Sequence, residues 1–414
     1  MKRDEAYFRA FAAKCRKELL GNVMPFWMKH GWDRKNGGVY TCLDRDGSLM
    51  DSTKSVWFQG RFGWMTAYVY NHVKKDERFL EASLSCCRFL ERRCFDKDGR
   101  AFFEVSAEGT GLRKRRYVFS ECFAAMAYAE YAVASGDKAW ARKAMALFRR
   151  IRLFMEEAGT YMPSKYTAAA RMRGHSLTMM LINVANVLKQ VSTEAVLDRQ
   201  VTESVEALVK YFIHPEFHAL LETVGPEGEF LDTNLGRTIN PGHCLETSWF
   251  LMDVAEARQD AALGEIALKI LDWSWAWGWD EPYGGIVSFK DCRNLPPQNY
   301  EQDMKFWWPQ CEAIIATGHA WRLTGESKYL KWHGLAADWA WAHLKDGKHP
   351  EWFGYLHRDG TVAQPAKGNL FKGPFHVPRM LAMACRGDRS RSSERSGRRR
   401  EQDACLQRLD AIAR

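Results

Sequence analysis

Long apolar runs are missing from this sequence. Among its 414 residues there is no stretch of about twenty uncharged apolar residues, the usual length of a membrane-spanning helix. The first five residues, MKRDE, are mostly charged, whereas a secretion signal has an apolar core. We therefore expect no membrane partner and a cytoplasmic location.

Cysteine motifs are also missing. The eleven cysteines are scattered along the chain with no C-x-x-C pair, unlike the disulfide framework of a small secreted domain. We expect free thiols that pack in the core. Cys244 and Cys311 lie beside candidate catalytic residues, so a thiol nucleophile is a minor alternative.

Two common cofactor motifs are absent. The sequence contains neither the phosphate-binding loop G-x-x-x-x-G-K-[ST] nor the zinc motif H-E-x-x-H. We predict no metal site. A metal-dependent hydrolase stays open as an alternative, because two histidines and two glutamates on distant helices could still bind Zn or Mn.

Positive charge is concentrated at the end of the chain. Residues 386–414 carry nine arginines against five acids, which is +4 of the net charge of +9. Their low hydrophobicity predicts a disordered tail behind a single domain at 1–385. The remaining +5 gives no reason to expect a nucleic-acid partner, and RNA binding by the tail is a minor alternative.

Apolar residues make up 46% of the chain, and their periodicity predicts twelve helices. Twelve helices at regular intervals form six hairpins, which favours an all-α fold, an (α/α)6 barrel in which each hairpin packs on its neighbours. The predicted segments are 5–29, 55–74, 77–94, 120–134, 138–156, 175–190, 197–212, 243–258, 261–276, 310–324, 328–344 and 374–385.

Short turns and β-like runs separate alternate helices. The turns 33–38 and 280–285 are rich in Gly, Asp and Asn and precede the runs 39–43 and 286–289; a third run lies at 353–357. We predict short β-hairpin-like loops that join outer to inner helices at one mouth of the barrel. We interpret the repeat as structural and not as a copied sequence.

The starts of the six inner helices carry unusual chemistry. Successive starts are separated by 56 to 69 residues, so in a closed barrel they converge on one mouth and form an active site there. Helix N-termini favour an anionic or oxygen-rich ligand. The marked positions are Arg61, 119–121, His175, His243, Glu312 and His376.

His243 and Glu246 are three residues apart and share a helical face. A carboxylate in this position can orient an imidazole and prepare it for proton transfer near neutral pH. An isolated H-x-x-E pair is more often structural. His376 follows a loop rich in Gly and Pro, a weak signal by itself.

Two further positions suit a sugar ligand. Trp307 and Trp308 precede Glu312, and indoles pack on the apolar face of a sugar while a carboxylate binds its hydroxyls. Arg61 lies among aromatic residues, where a buried guanidinium needs an acidic partner or a ligand oxygen.

Five segments in order resemble the N-acylglucosamine 2-epimerase family, which is also known from renin-binding proteins. The resemblance covers most of 5–385. The segments are KSVWFQGR at 54–61, YVFSE at 117–121, WWPQCE at 307–312, EWFGYL at 351–356 and FKGPFHVPR at 371–379.

The resemblance implies an (α/α)6 barrel that interconverts N-acetylglucosamine and N-acetylmannosamine, with ATP as an activator that is not consumed and a homodimeric state. It implies that Arg61, His243, Glu312 and His376 are catalytic. Supporting or sugar-contacting positions would be Glu246, His175 and Asn183. Apart from the resemblance, we expect Trp307, Trp308 and Phe371 to pack on the sugar.

Epimerisation at C2 requires the open-chain aldose, because the C2 proton becomes acidic only beside a carbonyl. We expect His243 and His376 on opposite faces of C2, with Arg61 at the C1 oxygen. Glu246 would orient His243, and Glu312 would bind a hydroxyl or tune a histidine. The alternatives are an aldose–ketose isomerase or disaccharide 2-epimerase of the same superfamily, and a non-catalytic binding protein.

Overall fold

A computed structural model describes residues 2–385, and the predicted tail 386–414 lies outside the described residues. In this range no helix is long and apolar enough to cross a membrane. The α-helices are α1 (Lys2–Glu18), α2 (Met24–Phe26), α3 (Val56–His72), α4 (Glu77–Arg93), α5 (Phe119–Ser135), α6 (Lys138–Glu156), α7 (Ala158–Tyr161), α8 (His175–Leu188), α9 (Ala195–Ala207), α10 (Pro241–Arg258), α11 (Ala261–Gly278), α12 (Trp307–Thr324), α13 (Ser327–His343) and α14 (His376–Ala384).

All twelve predicted helices are present. The first runs from α1 through two π-helical turns, Leu19–Val23 and Trp27–Gly31, on either side of α2. Helix α9 likewise continues into a π-helical turn at Leu208–Phe212. Short 3-10 turns lie at Ala168–Ala170 and Pro215–Phe217.

Six helices form an inner ring, in which α3, α5, α8, α10, α12 and α14 each pack against the next and α14 closes on α3. Helices α3, α5, α10 and α12 are apolar on nearly all sides and buried, because a helix without a polar face must be covered all round. Helices α4 and α6 have a charged face and pack outside them. The predicted (α/α)6 barrel is confirmed.

The connections alternate in length around the barrel. Inner helices pass to outer helices through short turns, for example at Gly136, which has a left-handed φ of 72° that suits glycine. Asp137 follows and its side chain accepts from the N–H of Ala139, which caps α6. Outer helices return to inner helices through long loops, so these loops gather at the mouth where the inner helices begin.

Short antiparallel strands join neighbouring loops around this mouth. A strand just before one inner helix pairs with a strand from the loop before the next, as in Lys54↔Val105 and Lys305↔Leu356. The described strands are β1 (Lys54–Ser55), β2 (Glu104–Val105), β3 (Gly111–Arg113), β4 (Arg173–Gly174), β5 (Ile213–His214), β6 (Ala219–Leu220), β7 (Thr223–Val224), β8 (Thr238–Ile239), β9 (Lys290–Asp291), β10 (Lys305–Phe306), β11 (Tyr355–Leu356) and β12 (Val362–Gln364).

Two of the loops are copies in sequence as well as in structure, which corrects the interpretation that the repeat is structural only. GWDRKNGGV at 31–39 matches GWDEPYGGI at 278–286, and each is followed by K-x4-Q, at 54–59 and 305–310. The lysine of each copy binds the aspartate, with Nζ–Oδ2 distances of 2.7 and 2.8 Å. Each glutamine amide bonds both main-chain groups of one residue, Val39 or Ile286.

Candidate active site

One cavity of about 380 Å³ lies at the mouth where the inner helices begin. Every inner helix contributes to its lining, as the regular spacing of the helix starts predicts. One lining residue from each helix in turn is Arg61, Phe119, Met180, His243, Trp308 and His376.

The structure brings most of the predicted site residues together. Glu312 lies directly behind the cavity, His175 is buried behind His243, and Asn183 is half-buried two turns further along α8 and is not a lining residue. The predicted residues that line the cavity are Arg61, His243, Glu246, Trp307, Trp308, Phe371 and His376.

His376 is the first residue of α14 and is almost fully buried. Its Nδ1 lies 2.8 Å from Oε1 of Glu312, which is on α12 and has no solvent exposure. An ionised carboxylate can only accept, so this short contact favours a hydrogen on Nδ1 and leaves Nε2 for other partners; Nη2 of Arg379 lies further from Nδ1, at 3.3 Å. Burial lowers the pKa of His376 well below its usual range, and the positive charges of Arg379 and Arg61 lower it further.

Arg379 is the cation of this part of the site. Its Nη2 donates to Oε1 of Glu312 at 2.5 Å and to Oε1 of Glu246 at 2.7 Å. The other oxygen of Glu312 accepts from Nε1 of Trp249 at 2.9 Å. Both buried carboxylates are therefore partnered, and Arg379 offsets the charge that Glu312 would otherwise exert on His376.

His243 has a different carboxylate partner from the predicted one. Its Nδ1 lies 2.9 Å from Oε2 of Glu222, whereas Glu246 binds Arg379, so the prediction that Glu246 orients His243 is wrong. Side chains three residues apart share a helical face, but Glu246 binds the guanidinium of Arg379 from α14 instead of the His243 ring. Burial lowers the pKa of His243, yet the charge and hydrogen bond of Glu222 outweigh burial and raise it above the usual value.

His175 begins α8 and is fully buried. Its Nε2 bonds Oγ1 of Thr247 at 2.8 Å. Its Nδ1 has no hydrogen-bond partner among the described residues and lies 3.6 Å from Oε2 of Glu222. His175 thus lies on the side of Glu222 away from the cavity.

Arg61 lies in the second turn of α3, not at its start, and is 9% exposed. Its guanidinium carbon lies 4.1 Å from the ring centre of Phe123 and 4.6 Å from that of Phe375, and its Nε has no partner within residues 2–385. Burial lowers the pKa of Arg61 to about 9, a loss that the charges of Glu246 and Glu312 partly offset. It is therefore a cation at neutral pH with donor capacity left for a ligand oxygen.

Trp308 lies between the two cavity histidines. Its ring centre is 5.1 Å from that of His243 and 5.8 Å from that of His376. Gly242 makes this position possible, because a Cβ there would be 2.4 Å from the indole. The aromatic surface spans the space in which a sugar would face both imidazoles.

The cysteines near the site are unsuited to nucleophilic attack. Cys244 and Cys311 are 1% and 0% exposed, and burial raises the pKa of both thiols. A nucleophilic cysteine needs an accessible, acidified thiol. The structure therefore gives no support to the thiol alternative.

Two groups of side chains at the site have donors that could hold a cation. Glu246, Glu312 and His376 form one, but the guanidinium of Arg379 already occupies the space between its carboxylates. A second group consists of His175, Glu222 and His243, whose donor atoms lie within 4.8 Å of one another.

Sequence reasoning missed two residues of the site. Arg379 lies within the quoted segment 371–379, three residues after His376, so its position on the same helical face was a usable signal. Glu222 lies in the loop between α9 and α10, within the ordinary run LLETV. No motif there indicates that this loop folds back onto His243.

Known proteins are similar to this chain in sequence over most of its length. The family model for N-acylglucosamine 2-epimerase (GlcNAc 2-epimerase) matches residues 38–372. The chain is 35% identical over 391 residues to the N-acylglucosamine 2-epimerase of Bos taurus, covering 92% of both chains. It is 33% identical to that of Homo sapiens, covering 92% of this chain and 91% of the relative.

A solved structure shares the fold. Cellobiose 2-epimerase from Bacillus thermoamylovorans superposes with a TM-score of 0.79 at 19% identity, covering 91% of this chain and 99% of that one. The matched family model and the identity to curated enzymes over most of the sequence lead to one conclusion: the chain is an isomerase that belongs to the N-acylglucosamine 2-epimerase family.

Proposed function

We propose that this enzyme interconverts N-acetylglucosamine and N-acetylmannosamine by moving a proton at C2 of the open-chain sugar. The observation that carries the proposal is the pair of imidazoles in one cavity, His243 and His376, each bonded to a carboxylate through Nδ1. No hydrogen bond to either Nε2 is found within the described chain, so both nitrogens are available to a ligand.

The two imidazoles act as base and acid in turn. One Nε2 takes the C2 proton, the electron pair of the C–H bond moves into the C1–C2 bond, and the C1 oxygen becomes an enolate oxygen. The other imidazolium then returns a proton to the opposite face of C2. Each such transfer by a positioned histidine contributes about 10²–10⁴-fold to the rate.

The surroundings shift the pKa values of the two histidines in opposite directions and so give them different roles. The lowered pKa of His376 keeps it neutral and ready to accept a proton, while the raised pKa of His243 favours the charged form that donates one. The resting enzyme is thus set for the direction in which His376 removes the proton. In the reverse direction the single proton starts on His376, and neutral His243 removes the C2 proton.

Arg61 stabilises the enolate oxygen in this mechanism. It is the guanidinium of the lining, cationic at neutral pH, and its Nε has no partner among the described residues. A fixed cation beside developing negative charge lowers the barrier without reorganising water. Glu246 and Glu312 both bind Arg379 and so connect α10, α12 and α14 at this site.

An apolar wall suits the N-acyl group. Trp57, Met179, Met180 and Phe371 line the same cavity as the histidines. Transfer of the acyl methyl from water to such an apolar surface is favourable. An unsubstituted hexose lacks this group, so the lining favours N-acylated sugars.

A sugar panel tests the substrate. Purified enzyme is incubated separately with N-acetylmannosamine, N-acetylglucosamine, mannose, glucose and cellobiose, and products are separated by chromatography. We expect conversion of the two N-acetyl sugars with the highest kcat/KM. Higher kcat/KM for cellobiose would favour a disaccharide 2-epimerase, and a ketose product from mannose would favour an aldose–ketose isomerase.

A chelator test addresses the metal alternative. The proposed chemistry uses no metal, so activity after dialysis against EDTA should equal that of untreated enzyme. Loss on dialysis with recovery on adding Zn²⁺ or Mn²⁺ would instead assign the group His175, Glu222 and His243 to a metal.

Three expectations from the resemblance stay predictions: activation by ATP, a homodimer and a cytoplasmic location. For ATP, a cleft of about 310 Å³ beside the mouth has suitable chemistry, because Arg171 and Arg173 can bind phosphate and Tyr166 can stack on a purine. ATP bound there would supply binding energy and no chemical step. A non-hydrolysable ATP analogue should then activate wild-type enzyme and fail to activate Arg171→Ala.

A further inference from the structure

Glu222 is held in place by its own main chain. Its C=O accepts from the N–H of His175 at 3.0 Å, and its N–H donates to the C=O of Thr238 at 3.0 Å. The strand that follows it, β7, pairs with β4 directly before His175. The residue is therefore fixed between the loops that lead into α8 and α10.

The carboxylate of Glu222 faces two imidazoles. Oε1 and Oε2 lie 3.1 and 2.9 Å from Nδ1 of His243, and Oε2 lies 3.6 Å from Nδ1 of His175. His175 is fixed in turn by Thr247. The carboxylate thus bridges a histidine of the cavity and a histidine of the buried layer behind it.

No other described acid makes this hydrogen bond to His243. Glu246 and Glu312, from α10 and α12, are the remaining carboxylates whose charge reaches His243, and both bind Arg379. His175 from α8 and His376 from α14 also face His243. Among these charged neighbours Glu222 alone makes a hydrogen bond to the His243 ring; the neutral amide of Asn240 is the second partner of Nδ1, at 3.1 Å.

We propose that Glu222 is a positioning residue of the epimerase, which fixes the hydrogen of His243 on Nδ1 and turns Nε2 towards the sugar. This inference rests on the proposed function and adds a residue to it. Glu222 touches no substrate; it acts through His243, and His175 holds the far side of the carboxylate.

The charge state of Glu222 agrees with this part. Burial alone would raise its pKa, but the hydrogen-bonded His243 and the nearby ring of His175 outweigh burial and lower the pKa to about 2. Glu222 stays ionised across the working range, so its effect on His243 is constant. Removing its charge should lower the pKa of His243.

The test compares Glu222→Gln and Glu222→Asp with a matched control, Glu216→Gln. Glu216 lies in the same loop and binds a histidine, His214, at 3.0 Å, but it is 55% exposed and is not a lining residue of the cavity. Melting temperatures of all variants establish that each is folded.

We expect Glu222→Gln to lose about 10- to 100-fold in kcat with a small change in KM, the size of effect found when a group that orients a metal-bound imidazole is removed. The alkaline limb of its pH–rate profile, which reports protonated His243, should move to lower pH. Glu222→Asp should recover part of the rate, and Glu216→Gln should match wild type. An unchanged rate and pH profile in Glu222→Gln would overturn the proposal.

A substrate-free measurement separates this inference from the proposed function. Imidazole ¹⁵N–¹H spectra are recorded across pH for wild type and Glu222→Gln, with His243→Gln used to assign the His243 signals. We expect the His243 midpoint to fall in Glu222→Gln and that of His376 to stay. A His243 midpoint that does not move refutes the proposed role of Glu222. A midpoint that falls supports this role, even if the enzyme converts neither N-acetyl sugar.

Discussion

His243 and His376 each have a carboxylate oxygen within 2.9 Å of Nδ1, yet their pKa values move in opposite directions. The pKa difference comes from the other groups that each carboxylate binds. Glu312 shares its oxygen with Arg379, whereas the partners of the Glu222 carboxylate within residues 2–385 are imidazoles. One pair of identical side chains is thereby prepared as a base and an acid at the same pH.

This asymmetry predicts a bell-shaped pH dependence of kcat/KM. Activity requires one proton shared between the two imidazoles, so the acid limb lies well below pH 6.5, where His376 becomes protonated, and the alkaline limb lies above pH 6.5, where His243 loses its proton. Both directions should show the same limbs, because both use the singly protonated enzyme. Initial rates with each N-acetyl sugar between pH 4 and 10 check this; a single limb, or limbs that differ between directions, would contradict it.

Replacing either histidine should separate proton exchange from epimerisation. In His243→Asn the remaining His376 can still remove and return the C2 proton on its own face. We expect this variant to exchange C2 hydrogen of one epimer with heavy water without forming the other epimer, and His376→Asn to exchange the second epimer instead. Proton NMR of each sugar in D2O measures this, and exchange of both epimers by one variant would argue against faces assigned to separate histidines.

Arg379 should be important for stability as well as for chemistry. Arg379→Met leaves Glu246 and Glu312 buried without their cation, which we expect to lower the free energy of unfolding by about 3–5 kcal/mol. The control is Arg358→Met. Arg358 also binds a carboxylate, in its case through two nitrogens, but it is 45% exposed and its partner Asp280 keeps Lys305.

The control should therefore lose about 1 kcal/mol or less, as exposed ion pairs do. Urea unfolding followed by circular dichroism gives both values. Equal losses in the two variants would show that the buried network around Arg379 is not special.

Close contact between inner helices predicts a strong effect at Gly60. A Cβ there would lie 2.5 Å from the main-chain carbonyl carbon of Phe123, so Gly60→Ala must push α3 away from α5 and should lower the melting temperature. Gly264→Ala in outer helix α11 is the control, because its Cβ would meet its first atom at 3.9 Å. That change should be neutral or stabilise by up to about 1 kcal/mol. Calorimetry of both variants measures the difference, and a similar melting temperature for the two would contradict the close packing.

The fold could be predicted from the sequence because its signals are local. Each helix carries its own apolar periodicity, and the even spacing of the inner helix starts predicts a common mouth. The copied loop sequence at 31–39 and 278–286 is also present in the sequence, but composition alone does not reveal it, because the match appears only when the two segments are aligned position by position.

The site was predicted only where side chains act from the inner helices. Glu246 was paired with His243 from their spacing, but helical spacing gives proximity and not the competing attraction of Arg379, which arrives from another helix. Glu222 depends on how a loop of 28 residues between Phe212 and Pro241 folds back. Such long-range contacts have no signature in one sequence.

The most direct test of the two-histidine account is the fate of the C2 hydrogen in wild-type enzyme. N-acetylmannosamine is incubated in D2O and stopped at low conversion, and proton NMR measures the C2 hydrogen of product and of recovered substrate. Two bases on opposite faces predict that the first N-acetylglucosamine formed is fully deuterated at C2 while recovered N-acetylmannosamine still carries hydrogen. Product that retains the hydrogen of the substrate would show that one base serves both faces, and would contradict the account.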